Sequence, residues 1–146
     1  MGTVYAEITL KNVFDTLACK RRLIKKEEIR ETKVQALVDT GAGTLVINDK
    51  LRRKLGLGIR GVQEVTLAND TKEIMKTADP VEVHWKNRQM VCQPLVASCS
   101  GIILLGAIPL EDMDLIVDPK KQELTGRHGD EILGNLYTLQ RPGKAA

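Results

Sequence analysis

A chain of 146 residues, 42% hydrophobic and 28% charged, has the length and composition of one soluble globular domain able to bury a core of its own. No apolar run approaches the roughly 20 residues that span a bilayer. The N-terminus lacks a signal-peptide layout, and Ala6 stands where a myristoylation site needs Ser or Thr, so neither a membrane nor a secretory route is expected. The net charge of +3 is too small to imply a nucleic-acid partner. Cys19, Cys92 and Cys99 form an odd set with no Cys-x-x-Cys pair, which speaks for reduced thiols in a cytoplasmic protein and against a zinc or redox site. The few aromatics, Tyr5, Phe14, Trp85 and Tyr137, are too scattered for a base-stacking platform and leave the core to Val, Ile and Leu.

Val4, Ala6, Ile8 and Leu10 alternate with polar residues, so the chain opens on a half-buried strand. Val13-Phe14 is read as its continuation beyond a turn at Lys11-Asn12. Residues 19–32 are highly charged and read as a solvated loop or a short surface helix. Residues 33–38 form a strand, and residues 44–47 form another. Asn48 then caps a helix over 49–55, stopped by Gly56, with Arg52, Arg53 and Lys54 near its C-terminal end. A strand over 62–67 leads to a hairpin turn at Asn69-Asp70. Residues 81–85 and 90–96 pair across a turn at Lys86-Asn87. Residues 102–106 are wholly apolar and end on Gly, as a central buried strand does. Pro109 suits the first turn of a helix over 108–114, and residues 115–117 and 123–125 form a last hairpin. Residues 132–133 and 136–139 are candidates for one more strand, and residues 141–146 for a disordered tail. Short strands at this spacing indicate an all-β barrel or sandwich with one or two helices.

Chemistry concentrates in Ala36-Leu37-Val38-Asp39-Thr40-Gly41-Ala42. A β-branched apolar run delivers one carboxylate onto a Gly turn whose N–H groups can point back at it. Asp, Thr and Gly are also ordinary turn residues, so the triplet alone is a short motif. Together with Ile103-Leu104-Leu105-Gly106, which runs into a short helix, it resembles the retropepsin-like aspartic peptidases, in particular the small single-domain proteins of bacteria and archaea. Weaker support comes from Leu67-Ala68-Asn69-Asp70-Thr71, where such proteins carry a flap hairpin over the substrate, and from Leu115-Ile116-Val117-Asp118-Pro119.

The resemblance covers residues 1–126 as a peptidase domain and leaves 127–146 as a C-terminal extension. It implies a closed retropepsin-like β-barrel working as a symmetric homodimer. Peptide hydrolysis needs a water made nucleophilic and a carbonyl protonated together, which two close carboxylates sharing a proton achieve. The chain has one Asp-Thr-Gly, so the second carboxylate has to come from another copy, Asp39 facing Asp39 across a two-fold axis. The family pattern implies that Thr40 cross-bonds the two turns and that Gly41 lets the backbone approach the substrate. Leu104, Leu105 and Gly106 are the supporting strand. Pepsin-like enzymes often carry a hydroxyl at the position of Ala42, whose absence moves the expected working pH toward mild acid or neutrality. The flap stretch, residues 67–73, contains no Gly, unlike the Gly-rich retroviral flaps, and is expected to be stiffer. The expected partner is an extended peptide, with no metal or cofactor. His84 and His128 have no spaced partner, and Cys99 has no His placed to activate it. Alternatives from other classes are a peptide-binding or dimerisation module on the same fold, and a small basic β-barrel binding RNA through residues 20–26 and 52–54.

Overall fold

The alternation that opens the chain becomes strand β1 (Tyr5–Asn12), whose Ala6, Ile8 and Leu10 are buried while Tyr5 and Glu7 face solvent. The computed structural model describes residues 3–67, 69–98 and 101–129. Asn12 ends the strand: its Oδ1 accepts the Asp15 N–H at 3.2 Å, and its Nδ2 donates to the Leu55 carbonyl at 2.9 Å. It thereby caps helix α1 (Val13–Lys20), which replaces the expected continuation of the strand through Val13-Phe14. The charged stretch that follows holds the end of this helix, a 3-10 turn at Lys26–Glu28 and the start of β2 (Glu31–Val38). Asp15 takes a two-pronged grip on the Arg30 side chain, at 2.8 and 3.0 Å, and fixes the return of the chain.

The next elements follow the sequence closely. Strand β3 (Leu45–Asn48) leads into helix α2 (Asp49–Lys54), with the Asn48 carbonyl side-chain oxygen accepting the Leu51 N–H at 2.8 Å. Gly56, at φ +68°, ends that helix as expected. Arg52 and Arg53 each pair with Asp49 at 2.7 Å, so two of the basic residues serve the helix itself.

A long hairpin follows, β4 (Ile59–Thr66) and β5 (Lys72–Ala78). Strand β5 is mostly exposed and charged, so it carries little hydrophobic alternation to betray it. Next come β6 (Val81–Trp85), β7 (Arg88–Cys92) and β8 (Leu95–Ala97). The single returning strand expected over 90–96 is two strands. Pro94 lies between them, and a proline cannot donate to a ladder. Strand β7 pairs with β6, whereas β8 pairs with β3 and β5.

Strand β9 is only Leu104–Leu105, but it is central as expected, parallel to β2 on one side and antiparallel to β3 on the other. The run around it is not wholly buried: Ile102 is 51% exposed, because it lies beside an open groove and not inside the core. Helix α3 (Ala107–Asp112) and the hairpin of β10 (Leu115–Asp118) and β11 (Glu123–Gly126) complete the described chain. Among the described residues the α-helices number three, where the sequence pattern suggested one or two; α1 is the addition.

The main sheet has nine strands in the order β4-β5-β8-β3-β9-β2-β1-β6-β7 and curls into a half-barrel. Among the described residues β4 and β7 are the two ends of this order. The core inside the curl is aliphatic, with Ile8, Leu10, Leu45, Ile47, Leu55 and Leu105 almost fully buried. One cation lies within it. Arg88 is 2% exposed and donates to the carbonyls of Met113 at 3.3 Å and Asp114 at 2.7 Å, and to Gly129. Backbone carbonyls that receive both terminal nitrogens help a guanidinium to be buried. A Cβ at Gly126 would lie 2.4 Å from the Arg88 guanidinium and 2.1 Å from the Gly129 carbonyl oxygen, so that clasp requires glycine there.

Both histidines have carboxylate partners that sequence spacing did not reveal. His84 meets Glu82 at 2.8 Å, and His128 meets the buried Asp114 at 2.7 Å. Neither lines the groove described below. Cys19 and Cys92 are free thiols. Among the described residues no helix is long and apolar enough to cross a membrane. Cys99 and the strand and tail expected beyond 130 lie outside the described residues.

Candidate active site

Strand β2 is held on both sides before it releases Asp39. Leu37 donates to the Ile103 carbonyl at 2.7 Å, Val38 to Val4 at 2.8 Å, and Asp39 itself to Leu105 at 3.0 Å. The chain then turns sharply. Gly41 donates its N–H to Asp39 Oδ1 at 2.9 Å, and Ala42 donates to the Asp39 carbonyl at 3.1 Å. The turn thus orients the carboxylate with its own backbone. A Cβ on Gly41 would lie 3.1 Å from that same Oδ1, so the absence of a side chain keeps the approach open.

The supporting strand acts through its last residue and the helix behind it. Ala107 and Ile108, at the start of α3, donate to the carbonyls of Ala42 at 2.8 Å and Gly43 at 3.1 Å. Between strand and helix, Gly106 passes against the turn: a Cβ there would lie 2.4 Å from the Thr44 carbonyl oxygen and 2.6 Å from that of Ala42. Leu105 is fully buried behind this contact. Two distant stretches of sequence therefore form one rigid unit beneath the carboxylate.

In front of the turn lies a groove of about 1000 Å³, lined by Asp39, Gly41, Ala42 and Leu104 among others. The β4–β5 hairpin forms its opposite wall. Gln63 pairs with Met75 and Val65 with Glu73, and all four line the groove. The tip is closed by Leu67 N–H to the Thr71 carbonyl at 2.8 Å and Asp70 N–H to the Leu67 carbonyl at 3.0 Å. Asn69 Oδ1 accepts the Thr71 hydroxyl at 2.6 Å. Asp70 takes a left-handed backbone at this tip, φ +65°, and is a residue type that tolerates it.

Of the residues singled out from the sequence, Asp39, Gly41, Ala42, Leu67, Asp70 and Leu104 meet on one groove. Asn69 and Thr71 hold the hairpin tip, and Leu105 and Gly106 clamp the turn from behind. Thr40 is exposed beside the groove. Ala68 lies outside the described residues. Sequence reasoning missed the inward face of the hairpin, Gln63, Val65, Glu73 and Met75. Its signal was an i, i+2 pattern diluted by charge. It also missed Ile102 and Ile108, exposed apolar residues beside the groove.

A carboxylate held by a backbone N–H at an apolar groove can orient and deprotonate a water, and the hairpin opposite can pair with an extended peptide. Among the described residues no three His, Cys, Asp or Glu side chains group as metal ligands. Cys92 lies away from the groove; burial, with Asp112 adding negative charge, pushes its thiol up to about 12.

No curated protein matches the chain in sequence. Among solved structures, it is similar to the retroviral protease-like domain of Ddi1 from Leishmania major, at TM-score 0.50 and 15% identity, over 86% of this chain and 84% of that one. A retropepsin-like aspartic protease from Rickettsia conorii aligns at TM-score 0.42 and 16% identity, over 81% of this chain and 89% of that one. The first likeness is one of fold. The family model described as "gag-polyprotein putative aspartyl protease" matches residues 26–112, from the approach to β2 through the end of α3. That match takes in both the Asp39 turn and the Gly106 clamp, and the chain belongs to this aspartyl protease family.

Proposed function

We infer that the protein is an aspartic endopeptidase, completed by a second copy of itself, which hydrolyses peptides bound in extended form between the Asp39 turn and the β4–β5 hairpin. The observation that carries this is the Asp39 turn itself: a carboxylate locked by its own backbone, clamped from behind and open to a groove of peptide-binding size. With one Asp-Thr-Gly in the chain, the partner carboxylate is Asp39 of the second copy. One carboxylate then takes a proton from the water while the other gives one to the scissile carbonyl oxygen, and the pair titrates as a unit. The exposed Thr40 is available to bond across the two-fold axis, and exposed Ile102 and Ile108 supply apolar area for it. No metal or cofactor is required by this scheme. The free thiols of Cys19 and Cys92 fit a reducing compartment such as the cytoplasm.

The test is Asp39→Asn with the full chain. Cleavage of a broad peptide library is expected to vanish while the circular dichroism spectrum and dimer mass by sedimentation stay those of the wild type. With no hydroxyl at residue 42 to favour the charged carboxylate, the wild-type rate should peak in mild acid to neutral solution, and a maximum below about pH 3 contradicts the scheme. A wild type that binds peptides but cleaves none is instead a peptide-binding module. A wild type that is monomeric yet fully active overturns the two-copy site.

A further inference from the structure

The hairpin opposite Asp39 sorts its charges. Glu73 and Asp70 line the groove, whereas Lys72 and Lys76 do not. Lys72 pairs with Glu64 at 3.4 Å, away from the groove. Among the described residues, the charged side chains on the groove are Asp39, Asp70 and Glu73, with no Lys, Arg or His. The carboxylates of Asp70 and Glu73 make no hydrogen bond or ion pair among the described residues. Glu73 also borders a smaller groove with Arg52, Arg53 and Lys76; Asp49 holds both guanidiniums, and Glu73 pairs with none of the three.

Polarity in the groove is layered. Val46, Met75 and Leu95 form a small buried apolar cluster, with Val65 and Leu104 packed on it, and all five line the groove. Asp70 and Glu73 are exposed, at its rim. A side chain that satisfies both layers has a long aliphatic stem and a cationic head. Lys and Arg have this build, laying methylenes on an apolar surface while the charge reaches polar groups at its edge. A purely apolar side chain leaves the rim carboxylates unused, and an acidic one meets like charge beside low-dielectric walls.

Resting on the peptidase reading above, we propose that Asp70 and Glu73 are specificity-determining residues that select peptides with a Lys or Arg side chain directed at the hairpin. The preference is expressed in binding and in kcat/KM, and it weakens with salt because both carboxylates are exposed.

Two arms test this. In the first, the wild-type full chain cleaves a proteome-derived peptide library and the products are sequenced. Lys and Arg should be enriched roughly fivefold at one position within about four residues of the cut, the size expected of two exposed ion pairs. The products of the double variant Asp70→Asn, Glu73→Gln should show no such enrichment, whatever its overall rate; Asn is chosen because it tolerates the left-handed backbone of residue 70. Cleavage without enrichment, or enrichment unchanged in the double variant, overturns the proposal. In the second arm, the Asp39→Asn chain is titrated with two fluorescein-labelled pools of Ala/Val/Leu/Thr dodecapeptides, one with a fixed central Lys and one with a fixed central Glu. Tighter binding of the Lys pool, with the gap closing in 0.5 M salt, supports the proposal; equal binding overturns it. Absence of any cleavage in the first arm counts against the peptidase reading, and the second arm still decides the charge preference.

Discussion

Replacing Gly106 with Ala tests whether the clamp behind the Asp39 turn is what holds the carboxylate in place. The added Cβ would lie 2.4 Å from the Thr44 carbonyl oxygen, 2.6 Å from that of Ala42 and 2.8 Å from the Thr44 nitrogen. All three are backbone atoms of the loop that carries Asp39, so no side chain can swing aside. Restoring ordinary contact requires the loop and the start of α3 to part by about 1 Å, which stretches the bonds from Ala107 and Ile108 to Ala42 and Gly43. Overpacking of this kind costs about 1–3 kcal/mol. For a domain of this size that is a fall in Tm of about 3–12 °C. A shift of that size at a reacting group lowers kcat/KM about 100-fold. Gly61→Ala is the control for stability: its Cβ would meet only the Thr77 hydroxyl, at 3.6 Å, and Tm should stay within the equivalent of about 0.5 kcal/mol. Differential scanning calorimetry and peptide-cleavage kinetics read the two effects. If Gly106→Ala melts and cleaves like the wild type, the clamp argument is refuted. If it melts lower but cleaves normally, the clamp supports the fold without positioning Asp39.

Two further outcomes follow from electrostatics. The Arg30 side chain, bonding both oxygens, holds the Asp15 carboxyl below the ordinary carboxylate range against the opposing effect of burial. A lowered carboxylate contributes stability above its unfolded range and loses it as pH falls through the lowered value. Arg30 is half exposed, so screening limits the pair to about 0.5–1 kcal/mol. Urea unfolding should therefore show Asp15→Asn weaker than the wild type by that amount at pH 7, with the gap closing in acid; a gap that persists in strong acid would contradict the ion-pair account. Cys92, with its thiol pushed up to about 12, should react with iodoacetamide at pH 8 on the order of 100-fold more slowly in the folded chain than in urea. Mass spectrometry of the labelled peptide reads both rates, and equal rates would show the thiol to be accessible.

Much of the fold is written in local pattern. The alternation of β1, the Asn48 cap with its Gly56 stop, and the last hairpin needed only neighbouring residues to be recognised, because caps, turns and period-two faces are properties of adjacent positions. Reading failed where a distant partner decides. Asn12 looks like a turn residue until Leu55 is brought beside it. Pro94 divides one apolar run because the sheet takes its two halves to different neighbours. Strand β5 is charged enough to pass for a loop, and it is a strand because β4 and β8 flank it. Arg88 was unremarkable in sequence and is among the most buried residues, since the carbonyls that receive it come from the far end of the described chain.

The candidate site divides in the same way. The sequence by itself determined that Asp39 ends a strand on a Gly turn, that Ala42 offers it no hydroxyl, and that only one such turn exists per chain. Those are covalent facts, and a two-carboxylate scheme has to draw its second carboxylate from outside this turn. Tertiary structure decided the rest. It set Leu104 and Leu105 beside Leu37 and Val38 in parallel register, which put Gly106 against the turn. It also rotated the hairpin so that Val65, Glu73 and Met75 face Asp39 while Lys72 and Lys76 do not. Which side of a strand meets a groove depends on pairing register, and a slip of one residue would exchange the two faces. A carboxylate on a turn was legible from the order of the residues, but the groove that makes it an active-site candidate exists only once the sheet has curled.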